Sequence, residues 1–228
     1  MTNLKRTKLK DRLLPDYTKG EEIFNMVSHI VGGGFGVIAL TFCVIKAFLV
    51  GDPYKIVGAF IFGFSMIALY TMSSVYHGLK SGTAKKVMQI IDHCTIFILI
   101  SGTYTPIALG VLRKENAALG WVIFGVVWGV SVLGIVLNAI DLKKYSIFSM
   151  ICYVALGWCI VLPGKFALSV IPKPALTLLL IGGASYTLGA VLFAIAGKKV
   201  HCYLHSVFHI FVVLGSIFHF LAILLHMN

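Results

Sequence analysis

Long apolar segments, separated by short polar breaks, run along the chain from residue 24 to residue 226. A bilayer core of about 30 Å needs roughly 20 apolar residues per helix. The pattern therefore predicts an all-α, polytopic membrane protein, a bundle of seven transmembrane helices. The predicted spans are about 24–49, 55–79, 86–111, 118–140, 146–164, 174–196 and 201–226. Residues 1–22 form a basic N-terminal segment, and residues 23–228 form one transmembrane domain.

Composition agrees with this reading. Of the 228 residues, 59% are hydrophobic and 12% are charged, whereas a soluble domain has about 45–50% apolar and about 25% charged residues. This excludes a disordered chain and argues against a soluble enzyme or a disulfide-stapled secreted module. The net charge of +11 lies in short clusters between apolar runs. We therefore expect these clusters to face the anionic inner-leaflet surface of the cell membrane, and we expect no nucleic-acid partner.

The distribution of Lys and Arg predicts the orientation. Thirteen of the nineteen fall in the N-terminal segment and in the second, fourth and sixth connections between spans, and six fall on the other side. Because basic residues are enriched in cytoplasmic loops, we expect a cytoplasmic N-terminus and an extracytoplasmic C-terminus.

Ionisable side chains inside predicted spans are candidates for function because they are costly in lipid. Asp92 is the one acid inside an apolar run. Counting at about 1.5 Å per helical residue from the nearest basic break places His77 about 5 Å, Asp92 and His205 about 9 Å, and His209 about 15 Å inside the cytoplasmic end of their spans. All four are thus predicted to lie in the cytoplasmic leaflet.

These residues suggest a metal site. His205 and His209 have the i,i+4 spacing that places two imidazoles on one helix face, and His77 would supply a third nitrogen. Three protein ligands with an open fourth position are the pattern of catalytic zinc. Asp92 would orient a water at that position or accept its proton. Ser73, one turn before His77, could hydrogen-bond the water or an oxyanion, or bond to its own i−4 carbonyl.

Three further histidines have less defined roles. His29 lies about 10 Å into the first span, where it could line the cavity or be a hydrogen-bonded core residue. His93 points about 100° away from Asp92 around the helix, which favours packing. His219 lies about 15 Å beyond His209, and we expect it to bond to another span.

The chain resembles the haemolysin III family, the bacterial branch of the progestin and adipoQ receptor superfamily. The resemblance rests on Ser73-Ser-Val-Tyr-His77, on Asp92-His93 followed by Ile100-Ser-Gly-Thr-Tyr-Thr-Pro106, and on His205-Ser-Val-Phe-His209. It implies seven spans, a cytoplasmic N-terminus and a zinc ion held by His77, His205 and His209, with Ser73 and Asp92 near the metal.

Three function classes follow. The favoured one is a zinc-dependent hydrolase acting on an amide or ester bond of a membrane lipid, because the wider superfamily, which includes alkaline ceramidases, implies hydrolysis of lipid amides. The second is a receptor-like or regulatory membrane protein in which the zinc is structural. The third is a haemolysin, pore or transporter, although the polar groups cluster on one side. The sequence indicates neither the substrate nor the oligomeric state.

Overall fold

The computed structural model describes residues 6–196 and 203–226, which are helical and contain no strand. Three basic residues of the orientation count, Lys5, Lys198 and Lys199, and the beginning of the seventh predicted span, 201–202, lie outside the described residues. The longer helices are α1 (Lys19–Val50), α2 (Pro53–Gly78), α3 (Thr83–Thr105), α4 (Ala117–Asp141), α5 (Ser146–Gly157), α6 (Lys165–Val170), α7 (Lys173–Ala196) and α8 (Leu204–His226).

Short helical pieces connect some of these. A 3₁₀ turn, Leu9–Asp11, precedes α1. A π-helix, Pro106–Leu112, and a further turn, Arg113–Glu115, continue α3 without a break. The change of helix type begins at the proline, which has no N–H to donate to the preceding turn. Another 3₁₀ turn, Cys159–Val161, follows α5.

Six helices among the described residues are long and apolar enough to cross a membrane: α1, α2, α3 with its continuation to Glu115, α4, α7 and α8. The all-α, multi-pass membrane class is therefore confirmed. The segment predicted as the fifth span, 146–164, forms α5, which has 12 residues, followed by the 3₁₀ turn. The count of seven crossings and the orientation of the termini stay predictions.

Helix ends coincide with the polar breaks because their residues satisfy exposed backbone groups. Thr18 begins α1 with a reciprocal capping box to Glu21. Asp52 accepts a hydrogen bond from the Tyr54 N–H at the start of α2, and Asn116 accepts one from the Leu119 N–H at the start of α4. Gly51 ends α1 at a φ of 77°, in the left-handed region that glycine tolerates.

The helices pack in a defined order, and α1 turns small and polar residues inward and large apolar ones outward. Helix α2 lies between α1 and α3, α3 packs on α4, and α7 pairs with α8, which also contacts α1. The buried face of α1 includes Asn25, His29, Gly32, Gly36, Ala39 and Cys43 at helical spacing. Exposed Phe42, Ile45 and Phe48 cover its other side, as expected for a surface that contacts lipid tails.

Residues 6–18, which we call the N-terminal strap, cross one end of the bundle. The Thr7 N–H donates to Asp141 Oδ2 at 2.7 Å at the end of α4. The Arg12 guanidinium donates to Gln89 Oε1 at 3.0 Å in α3. Lys86 Nζ donates to the carbonyl of Lys10 at 2.8 Å. The strap therefore ties α3 and α4 to the start of α1, at the end of the bundle that carries the candidate site.

Candidate metal centre

Three histidines from two helices converge near the strap. His77 lies in the last turn of α2, and His205 and His209 lie one turn apart at the start of α8. All three are buried. One nitrogen from each ring lies within 4.8 Å of the others, and the Nε2 atoms of His205 and His209 are 3.1 Å apart. The convergence predicted from span depth is present in the structure.

The donor set fits a metal ion. His77 Nε2 is buried and has no hydrogen-bond partner among the described residues, and the Nε2 atoms of His205 and His209 face each other in the same buried site. Buried polar atoms normally have a partner, so each such atom requires an explanation. Two nitrogens that each lie about 2.0–2.1 Å from a tetrahedral zinc ion are about 3.3–3.4 Å apart, close to the separation of the two Nε2 atoms. His77, His205 and His209 could therefore bind a metal ion.

Asp92 and Ser73 lie beside the histidines. Asp92, in α3, and Ser73, one turn before His77 in α2, line a cavity together with His205 and His209. The Ser73 hydroxyl lies within hydrogen-bonding reach of the Asp92 carboxylate. The two predicted catalytic residues therefore lie together, on facing sides of α2 and α3.

The cavity extends from these polar groups into the bundle between α2, α3, α5, α7 and α8. Most of its wall is apolar and includes Leu69, Ile96, Ile100, Val154, Phe193 and Val212. At the deep end lie Tyr104, Tyr186 and His219. The site thus combines a polar end with a long apolar interior, the kind of pocket that encloses a ligand with one polar end.

The other buried histidines occupy distinct positions. His29 stacks on His209 with ring centroids 3.7 Å apart, and both of its ring nitrogens lack a partner among the described residues. His93 Nδ1 bonds to the Gln89 carbonyl at 2.8 Å and lies 3.6 Å from Asp92 Oδ2. His219 Nε2 bonds to the Leu179 carbonyl of α7 at 3.2 Å, so its predicted bond to another span is present.

Sequence reasoning missed three residues around His77. Glu22 Oε2, in the first turn of α1, lies 2.6 Å from His77 Nδ1, and Lys85 Nζ, in α3, lies 2.7 Å from Glu22 Oε1. A signal for Glu22 was available: Glu22, Asn25 and His29 follow helical spacing and share the inward face of α1.

The third residue, Tyr17, closes the site from the strap. Its ring stacks on His205 with centroids 4.9 Å apart at 22°, and lies 5.8 Å from His77. Burial, with a further contribution from the charge of Glu22, raises the pKa of the Tyr17 phenol well above its ordinary value. The phenol is therefore neutral at physiological pH, and its contact with the histidines is through the ring.

Known proteins resemble this chain over nearly its whole length. A family profile described as "Haemolysin-III related" matches residues 17–220. The "Hemolysin-3 homolog" of Bacillus subtilis (strain 168) is 33% identical over 210 residues, which cover 92% of this chain and 96% of the relative. "Hemolysin-3" of Bacillus cereus is 31% identical over 206 residues, 90% of this chain and 91% of the relative.

A more distant relative is the human "Monocyte to macrophage differentiation factor", which is 25% identical over 180 residues, 75% of this chain and 71% of the relative. No solved structure matches the chain significantly. The profile begins at Tyr17 and includes the three converging histidines, Ser73, Asp92, Glu22 and Lys85. By the extent of the profile and the identity to both Bacillus proteins, the chain belongs to the haemolysin III-related family.

Proposed function

We propose that the protein is a zinc-dependent membrane hydrolase that cleaves an amide or ester bond of a lipid. The observation that supports this most directly is the placement of three converging histidines beside the Ser73–Asp92 pair, at the polar end of an apolar cavity. A purely structural zinc site is normally closed by four protein ligands. Three histidine ligands would leave a fourth position on the zinc ion for a reacting group.

His77, His205 and His209 would hold the zinc ion, because imidazole nitrogens suit zinc better than calcium or magnesium. When bound, zinc would lower the pKa of a water molecule and polarise a carbonyl oxygen. Asp92 is the candidate proton acceptor, and Ser73, which lies within hydrogen-bonding reach of it, would orient the carboxylate. A general base of this kind typically contributes about 10²–10⁴-fold in rate.

The proposed substrate class follows from the cavity wall. Between the histidines and His219 the cavity wall is mostly apolar. An acyl chain could therefore occupy the cavity while the scissile bond lies at the histidines. A small water-soluble substrate would leave this wall hydrated, which is unfavourable for apolar surface. If the N-terminus is cytoplasmic, the polar end of the cavity lies at the depth of the cytoplasmic leaflet.

The test combines metal analysis with a lipid assay. We expect purified protein to contain about one zinc ion per chain, and to release a free fatty acid or its counterpart when incubated with a membrane lipid extract and analysed by mass spectrometry. Protein in which His205 and His209 are both replaced by Ala is the matched blank. Zinc-containing protein that releases no product from any lipid fraction would favour the receptor-like reading, in which zinc is structural.

Cytolysis is the second candidate, because two relatives carry the name Hemolysin-3. Purified protein added to red cells or to dye-loaded vesicles tests it. Lysis that persists in the His205→Ala/His209→Ala variant would indicate membrane disruption independent of the metal centre. If the double variant no longer causes lysis, the lysis of the parent would instead result from its hydrolase activity.

A further inference from the structure

Glu22 joins three helices at the metal centre. From the first turn of α1, its Oε2 accepts a hydrogen bond from His77 Nδ1 at 2.6 Å, and its Oε1 lies 2.7 Å from Lys85 Nζ. His77 belongs to α2 and Lys85 to α3. The carboxylate therefore bridges a candidate metal ligand and a cation, with one oxygen committed to each.

Lys85, the partner of Glu22, is buried and makes further hydrogen bonds. Only 3% of Lys85 is exposed, which is rare for a lysine unless it is paired. Its Nζ also donates to the carbonyl of Leu79 at 2.9 Å and reaches that of His77 at 3.5 Å, at the end of α2. The ammonium group thus fixes Glu22 and the turn that carries His77 at the same time.

These contacts determine which nitrogen His77 can offer. A carboxylate oxygen only accepts hydrogen bonds, so Nδ1 carries the hydrogen and Nε2 keeps its lone pair. Nε2 is buried without a partner among the described residues. In contrast, His205 Nδ1 has no hydrogen-bond partner in the described part of the chain, and His205 and His209 approach each other through Nε2. Among the contacts of the described residues, His77 is the one of the three rings that bonds to a carboxylate.

We propose that Glu22 and Lys85 are positioning residues of the metal centre: they hold the His77 ring in the tautomer and orientation that present Nε2 to the metal ion. The inference rests on the proposed metal site, but on neither its catalytic role nor the substrate. A carboxylate behind a ligating histidine raises the affinity of the site, and its loss typically costs about 10–100-fold in metal affinity or activity.

The variants follow from the contacts. Glu22→Leu removes the acceptor, and we expect zinc to bind about 10–100-fold more weakly. Glu22→Gln keeps an oxygen that accepts from Nδ1–H, so it should retain most of the affinity. Lys85→Met leaves Glu22 in place without its cation and should produce an intermediate loss. Asp16→Asn, an exposed acid in the N-terminal strap, is the matched control and should bind zinc as the parent does.

The measurement is the zinc dissociation constant of the detergent-purified protein, by competition with a chelator. The second readout is the zinc-induced gap, the difference between the melting temperatures with and without zinc. If Glu22 is merely structural, Glu22→Leu should lower both melting temperatures and leave this gap unchanged. If Glu22 positions His77, the substitution should make the gap smaller. In a His77→Ala background, Glu22→Leu should cause no further loss of affinity, since Glu22 acts through that ring.

Two results would overturn the inference. One is a Glu22→Leu variant that binds zinc as tightly as the parent. The other is an equal affinity loss from Glu22→Leu with and without His77, which would mean that Glu22 acts elsewhere. A parent protein that binds no zinc gives a different pattern, with no zinc-induced gap in any variant, and it overturns the metal site itself.

Discussion

Each polar residue at the centre has its own set of contacts, and these separate binding from chemistry. The histidines offer lone pairs and have few other partners, whereas Asp92 pairs with Ser73 and lies near His93. Substitutions at the two kinds of residue should therefore have different consequences. Substitution of the histidines should remove the metal ion, whereas substitution of Asp92 should leave the metal ion bound and slow the reaction.

Replacing His205 and His209 together by Ala should remove zinc from the purified protein. Their Nε2 atoms lie 3.1 Å apart, and His77 alone offers too few ligands to retain the metal. His226→Ala, at the far end of α8, is the control and should retain zinc. Metal analysis after exhaustive dialysis decides the assignment, and full zinc content in the double variant would show that the ligands lie elsewhere.

Asp92→Asn should keep zinc and lose turnover. The amide is nearly isosteric and can still hydrogen-bond to Ser73, so the histidines should bind metal almost as before. Loss of the proton acceptor should slow lipid hydrolysis by about 10²–10⁴-fold. Zinc content and product release should be measured on one preparation, beside Glu115→Gln, an exposed acid. Parent-like turnover in Asp92→Asn would leave Asp92 as a buried polar residue without a catalytic role.

At the scale of helices, α5 differs most from its neighbours. It ends at Gly157, and the Tyr104 hydroxyl of α3 fills the break that follows, accepting from the Ile160 N–H at 2.8 Å and donating to the Gly157 carbonyl at 3.0 Å. Tyr153 donates to the carbonyl of His93 at 2.8 Å. A helix of only 12 residues is thus fastened to α3, and both tyrosines line the cavity.

Tyr104→Phe should destabilise the protein by about 1–3 kcal/mol, because it leaves the buried Ile160 N–H without an acceptor. Zinc content should not change, since Tyr104 lies at the deep end of the cavity. Thermal unfolding in detergent, compared with Tyr145→Phe at a half-buried position, measures the effect. Equal melting temperatures for the two variants would mean that water replaces the hydroxyl at the break.

The sequence predicts the histidines of the candidate site better than it predicts the residues that contact them or the length of α5. The rise of a helix is fixed, so counting from the basic breaks correctly brought His77, His205 and His209 together. Glu22 and Lys85 were not predicted as site residues, because a one-dimensional pattern does not show that α1 and α3 begin beside the end of α2. The shortness of α5 was also missed, since its break at Gly157 and Trp158 lies in an apolar run.

At the scale of the whole molecule, the number of crossings decides the side on which the chain ends. Six helices among the described residues suffice to span a bilayer, and α5 with its 3₁₀ turn would supply the seventh. With a cytoplasmic N-terminus, seven crossings place the C-terminus outside, and six place it inside. Whether α5 crosses the membrane therefore also determines the side on which the C-terminus lies.

Reporter fusions answer it. We expect alkaline phosphatase to be inactive when fused after Lys144 and active when fused after Lys173 or after the last residue, because the overall count of Lys and Arg, thirteen against six, places the fourth connection on the cytoplasmic side and the fifth on the other side. A fluorescent protein that matures in the cytoplasm should give the opposite pattern. Inactive phosphatase after both Lys144 and Lys173 would show that residues 146–164 do not cross.

The position of the N-terminal strap predicts how fast a bound metal ion would leave the centre. Tyr17 covers His205, and the strap is fastened to α3 and α4 on either side. A metal ion beneath it could escape only when the strap lifts, so the residence time of the ion would depend on a peptide segment that supplies no ligand. Shortening the chain to begin at residue 17 should accelerate extraction of zinc by a chelator more than it weakens equilibrium binding. In stopped-flow experiments, the rate of zinc extraction should reach a maximum as the chelator concentration rises. This maximal rate should be higher for the shortened chain than for the full chain.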